Sequence, residues 1–227
     1  MSRSYFTPAT LRFLRQLKRN NNRAWFHEHK AQYEEHLREP FLTLIADLQE
    51  PVTRISAHYR ADPSKVGGSL FRIHRDVRFS HNKLPYKTWS GARFFHERRR
   101  EVHAPAFYLH IEPGNSFAGG GMWHPESKVL RSIRTFIVDN PGAWTRATGT
   151  AFRKRFDFHG ERLKRPPRGF DPEHALIEDL KLKSFATGVS LDDELICSHG
   201  LVAAVANSFK QVAPLVDYLC AALDLEF

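Results

Sequence analysis

Ala106-Phe107-Tyr108-Leu109-His110-Ile111-Glu112 runs into Pro113-Gly114-Asn115-Ser116 and then into Phe117-Ala118-Gly119-Gly120-Gly121-Met122-Trp123. The first seven residues alternate. Phe107, Leu109 and Ile111 fall on one face, and Tyr108, His110 and Glu112 on the other, which is the period of a half-buried strand. Pro-Gly-Asn-Ser is turn chemistry. Ser116 to Trp123 then returns as the partner, so the stretch predicts an antiparallel hairpin. Tyr108, His110 and Glu112 on one face suit acid–base chemistry, and they equally suit an ordinary polar outer face. Three successive glycines weaken a strand and mark a bulge or a close backbone approach. Either an aromatic such as Trp25 or Trp123 packs on them, or Gly120 and Gly121 lie against a ligand, with Arg134 on the following helix.

Helical spacing surrounds this hairpin. Thr7-Pro8 supplies a cap and a favoured first residue, and Leu11, Phe13, Leu14 and Leu17 follow. Asn20-Asn21-Asn22 stops that helix and caps a second, which carries Trp25, Phe26, Tyr33 and Leu37. A third helix follows Pro40, with Phe41, Leu44, Ile45 and Leu48 on one stripe. Downstream, Pro125-Glu126 opens a helix with Leu130, Ile133 and Ile137 inward, and residues 141–150 form a short one. Residues 160–175 read as a loop, Ser184–Leu191 as a strand, and Leu201–Leu223 as a closing amphipathic helix. Phe71, Ile73, Val77 and Phe79 also alternate, so 71–79 is expected as a strand, with another in 86–95. Strands in the middle of the chain with helices on both sides predict the α+β class. The expected architecture is a central, mostly antiparallel sheet with an N-terminal helical layer and a C-terminal helix packed on it. A single domain over 1–227 is expected, with that layer at 1–57, the sheet-containing core at 68–195 and the last helix at 199–224.

Residues 72–86 read Arg-Ile-His-Arg-Asp-Val-Arg-Phe-Ser-His-Asn-Lys-Leu-Pro-Tyr. As a strand this places Arg75 among the apolar residues, where an unpaired charge is costly. Either a buried carboxylate pairs with it, or the strand breaks near Arg75-Asp76 and the segment becomes a loop. The planar fork of arginine binds phosphate or carboxylate at two points. Arg72, Arg75, Arg78 and Lys83 are therefore candidate anion ligands, with Asp76 orienting them and Tyr86 donating a hydrogen bond. Tyr108 and His110 are expected nearby.

The net charge is +9, and its location is informative. Residues 72–100 hold nine Lys/Arg against two Asp/Glu, whereas 101–227 hold fourteen against sixteen. Local positive charge concentrates anionic partners. A small anionic ligand is the first expectation. Nucleic acid bound along 72–100 is the alternative, and a buried salt-bridge core with function in protein partners is the third reading. No apolar run reaches membrane-spanning length, and Met1–Phe6 lacks a signal-peptide stretch, so a cytoplasmic protein is expected. Cys197 and Cys220 form no C-x-x-C pair and read as buried thiols. No metal-ligand spacing, phosphate loop or dinucleotide fingerprint is present, so no metal and no cofactor is expected.

The segment R-x-x-R-D-x-R-F followed by K-x-x-Y, carried by Arg72, Arg75, Asp76, Arg78, Phe79, Lys83 and Tyr86, resembles the signature of an uncharacterised, mainly bacterial group, the domain-of-unknown-function family 2461. Asn20–Phe26, Tyr108–Gly114 and Gly119–Gly121 are similar to that family as well. The resemblance runs from about Phe6 to the C-terminal helix. It implies one family domain and assigns no activity, leaving open whether a reaction is catalysed.

Overall fold

The structure, a computed structural model, describes residues 3–227. The helical layer begins as its caps dictate. The Thr7 hydroxyl accepts from the Ala9 N–H ahead of α1 (Pro8–Arg19), and the Asn22 side chain accepts from the Trp25 N–H at the start of α2 (Arg23–Glu28). Leu11, Phe13, Leu14 and Leu17 are buried as their spacing requires. Beyond α3 (Lys30–Tyr33) the sequence leads to expect a break before Pro40. Instead, a π-helical turn (Glu34–Arg38) carries the chain into α4 (Glu39–Asp47), and α5 (Gln49–Ile55) follows. Pro40 has no N–H to give the His36 carbonyl. That carbonyl instead accepts from the Thr10 hydroxyl at 2.7 Å, which ties α1 to the π turn.

Five antiparallel strands form one sheet in sequential order: β1 (Tyr59–Arg60), β2 (Ser90–His96), β3 (Ala106–Ile111), β4 (Ser116–Met122) and β5 (Phe185–Leu191). The predicted hairpin is β3–β4, with Leu109 opposite Ala118 and Phe107 opposite Gly120. Between β4 and β5 lie α6 (Ser127–Asp139), α7 (Pro141–Thr148), α8 (Thr150–Arg153) and α9 (Ile177–Leu180). After β5 come α10 (Asp193–Ile196) and α11 (Leu201–Ala221).

Helix α11 covers the face carrying Phe94, Phe107 and Leu109, and Phe209 stacks on Phe107 with ring centroids 5.1 Å apart. Gly120 permits this approach, because a Cβ there would lie 2.7 Å from a Val212 methyl carbon. A second apolar cluster gathers Met122, Ile133, Ile137, Trp144, Leu180, Phe185 and Leu219. Beside it, buried Asp179 accepts from the Trp144 indole at 2.7 Å and pairs with Arg153 at 2.6 Å. The fold is thus α+β as the sequence predicts, with no helix long and apolar enough to cross a membrane among the described residues.

Residues 71–79 do not form the expected strand; the chain breaks into a loop, the second of the outcomes open for Arg75. Only Ile73 of the alternating apolar residues is buried, and Phe79 is 94% exposed. The segment closes on itself instead. The Arg75 N–H donates to the Pro85 carbonyl and the Lys87 N–H to the Ile73 carbonyl. Asn21 locks this neck: its side chain donates to the Tyr86 carbonyl and accepts from the Tyr86 N–H, both at 3.0 Å.

Candidate functional site

The register of the sheet explains a hollow on the face away from α11. One row across the strands reads Phe95, Ala106, Gly121 and Ala186, and the next reads Arg93, Tyr108, Gly119 and Gly188. On β4 and β5 these rows carry only glycine and alanine, and a cleft of about 480 Å³ opens there. Phe71 and Trp89 from the loop before β2 wall one side, and Trp123 and His159 from the insertion before β5 line it as well. A volume of this order falls within the roughly 300–1,000 Å³ of small-molecule sites.

Three polar groups converge in or beside the cleft. The Tyr108 hydroxyl lies 3.0 Å from His110 Nδ1, and His110 Nε2 lies 3.3 Å from Glu112 Oε2. The Asn115 side chain donates to the same Glu112 oxygen at 3.0 Å. A carboxylate can only accept, so Nε2 carries the imidazole proton and Nδ1 accepts from the tyrosine hydroxyl. Trp89 and Phe117 flank the imidazole at 4.8 and 4.9 Å between centroids. Burial lowers the His110 pKa against the opposing pull of Glu112, and burial also raises that of Tyr108. Gly91 makes the tyrosine contact possible, since a Cβ there would sit 2.5 Å from the Tyr108 hydroxyl oxygen.

Arg93 stands directly across from Tyr108 in the β2–β3 register. Its Nε is enclosed and has no hydrogen-bond partner. Burial lowers its pKa, Arg99 adds to that, and no carboxylate is among the groups acting on it. An orphaned buried donor of this kind is rare.

Residues 9–218 match the family described as "Conserved hypothetical protein (DUF2461)". The chain belongs to this family. No curated protein and no solved structure matched it.

In this DUF2461 protein the arginine-rich signature lies next to the cleft without building it. Arg75, Asp76 and Tyr86 line a second, more open hollow of about 490 Å³ together with Lys18, Asn21 and Lys87. Trp89 borders both hollows. Arg72, Arg78 and Lys83 line neither. Asp76 pairs with Arg78 at 2.7 Å on the surface, and hydrogen bonds from Arg78 hold its carboxyl down at about 2. The Lys83 ammonium donates to the Val77 carbonyl. Tyr86 stacks on Phe26 at 4.1 Å between centroids. Arg72, like Arg78, acts on the Asp76 carboxylate, and of the three arginines Arg75 alone lines a hollow.

The other expectations divide. Tyr108 and His110 line the cleft, as do the backbones of Gly120 and Gly121. Trp123 reaches this region, whereas Trp25 stacks on His29 in the helical layer. Arg134 is committed elsewhere: it is buried and donates to the Leu180 and Leu182 carbonyls at 2.6 and 2.9 Å. Among the described residues no group of three or more His, Cys, Asp or Glu gathers to hold a metal ion.

Arg93 and Trp89 escaped the sequence reading. Both lie in a segment that reads only as strand and charge. The signal is long-range, since Arg93 matters because β3 places Tyr108 opposite it.

The signature loop carries a prediction. Arg75→Ala is expected to change unfolding free energy by no more than about 0.5 kcal/mol, as for other surface positions. A denaturant titration measures it, and a large loss would restore the reading of Arg75 as part of a structural core.

Proposed function

We propose that the cleft on the open face of the sheet binds a small ligand with a flat apolar body and an anionic phosphate or carboxylate group. The observation that carries this is Arg93, a half-buried guanidinium with an unpartnered Nε at the edge of an aromatic hollow. Guanidinium matches both anions at two points. Phe71, Trp89, Tyr108 and Phe117 offer rings for a planar group to pack on. The Lys87 ammonium lies 5.4 Å from the Trp89 ring centroid, on the side of the neighbouring hollow, where it donates to the Arg72 and His74 carbonyls.

Phenyl phosphate, inorganic phosphate and benzyl alcohol separate the contributions by calorimetric titration. Phenyl phosphate is expected to bind most tightly, because the other two each lack half of the recognised chemistry. Arg93→Gln is expected to weaken it by roughly 1.5–3 kcal/mol, the usual contribution of a hydrogen bond to a charged group. Equal binding of phenyl phosphate by the wild type and Arg93→Gln would refute the assignment.

A further inference from the structure

Holding an anion does not call for the hydrogen-bonded chain beside Arg93. Tyr108, His110, Glu112 and Asn115 form a continuous series, hydroxyl to imidazole to carboxylate to amide. It has the logic of a hydroxyl nucleophile, a histidine base and a carboxylate that orients the base. A glycine at position 91 leaves room for the hydroxyl, and aromatic rings clamp the imidazole on two sides.

We propose that Tyr108 is a catalytic nucleophile activated by His110, acting on an ester of the flat, anionic ligand class read for this cleft. The ester is an acyl or a phosphoryl ester. Both place negative charge on oxygens as the hydroxyl attacks, and Arg93, across from Tyr108 on β2, lines the same cleft. In the first step Tyr108 Oη bonds to the electrophilic centre while its proton passes to His110 Nδ1. The bond from that centre to the leaving oxygen breaks, and the leaving oxygen takes the proton from His110. In the second step water bonds to the centre, its proton passing to His110 and on to Tyr108 Oη as the bond to tyrosine breaks. Glu112 is a positioning residue, holding the imidazole with Nδ1 toward the hydroxyl and stabilising the transient imidazolium.

An aryl sulfonyl fluoride tests the hydroxyl directly. Oη bonds to sulfur, fluoride leaves, and the proton goes to His110. Peptide mass spectrometry reports which of the six tyrosines reacts. Tyr108 is expected to be labelled first. His110→Gln is expected to slow its labelling on the order of a hundredfold, the scale of general-base assistance. Glu112→Gln should slow it less, with circular dichroism showing both variants folded.

The pH profile separates a base from a structural contact. His110 is faced by Tyr108 and Glu112 on its own strand and its extension, with Gly91 opposite it on β2. Among the described residues Glu112 is the one charged group that acts on it, while Arg93 lies across from Tyr108, Lys87 over the Trp89 ring, and His159 against Phe117. Protonation removes its acceptor, and burial lowers its pKa. Labelling is therefore expected to fall only as pH drops below the ordinary histidine value of about 6.5.

Labelling of Tyr108 no faster than other tyrosines, or unchanged in a folded His110→Gln, overturns the proposal. p-Nitrophenyl acetate and p-nitrophenyl phosphate then identify the ester: turnover of one, lost in Tyr108→Phe, supports the role, and turnover of neither overturns it. The ligand reading fails separately, by Arg93→Gln keeping full phenyl phosphate affinity while Tyr108 labelling persists.

Discussion

Gly119→Ala and Gly121→Ala are each expected to destabilise the protein by about 3 kcal/mol or more, at the upper end of overpacking costs. A Cβ at position 119 would lie 1.9 Å from the Thr187 carbonyl oxygen, and one at 121 would lie 2.0 Å from that of Phe185. Both obstacles are backbone atoms of β5, held by the ladder, so no side-chain rotation relieves them. Gly121 also has φ 121°, a conformation that L side chains rarely adopt. Gly120→Ala provides the contrast. Its Cβ would meet side chains only, the Val212 and Val216 methyl groups and the Phe107 ring, which yield more readily than a strand backbone, so a smaller loss is expected. Chemical denaturation of the three variants gives the ranking. Equal and small losses would show that β4 and β5 are not paired as described.

Phe107→Ala is expected to lower stability by about 3–5 kcal/mol, as for other buried phenylalanines cut to alanine. Phe107 has no exposed surface and meets Tyr59, Phe209 and Phe227. For a chain of this size the loss corresponds to a fall in melting temperature on the order of 10 °C. Its neighbour Tyr108 points to the other face, so Tyr108→Phe is expected to leave the melting temperature nearly unchanged while abolishing the reactivity assigned to the hydroxyl. A scanning calorimetry trace of each variant decides it. Comparable losses at both positions would mean that the cleft face is a core.

The local parts of this fold were legible in the sequence. The hairpin was visible because alternation, turn residues and return strand are contiguous between Ala106 and Trp123. The Thr7 and Asn22 caps were visible because each acts within three residues of itself. The strand expected over 71–79 failed for a specific reason. Alternation describes a face, and it predicts a strand only where that face meets a core; here Ile73 alone does. The π turn was hidden because the freed His36 carbonyl finds Thr10, far away in sequence. The site was half legible. Tyr108, His110 and Glu112 share a strand period, so their common face could be read directly. Arg93 enters through strand register, and the hollow itself through the alignment of Ala106, Gly121 and Ala186 across three strands. The density of charge in 72–86 marks a loop beside the cleft, and charge counts alone do not say which hollow a side chain lines.

The two long insertions that wall the cleft also change how the sheet meets other chains. Before β2, the Phe71 N–H donates to Gly91 and the Ser69 carbonyl accepts from Arg93, which extends the first edge past the two-residue β1. Beyond β5, the His159 N–H donates to Ala186 and the Thr187 hydroxyl to the Asp157 carbonyl, which occupies the far edge. Exposed strand edges are templates for aggregation, and coverage by loops is one way that proteins blunt them. The segments that wall the cleft thus also cover the edges of the sheet, so shortening either one to widen the cleft is expected to trade solubility for access.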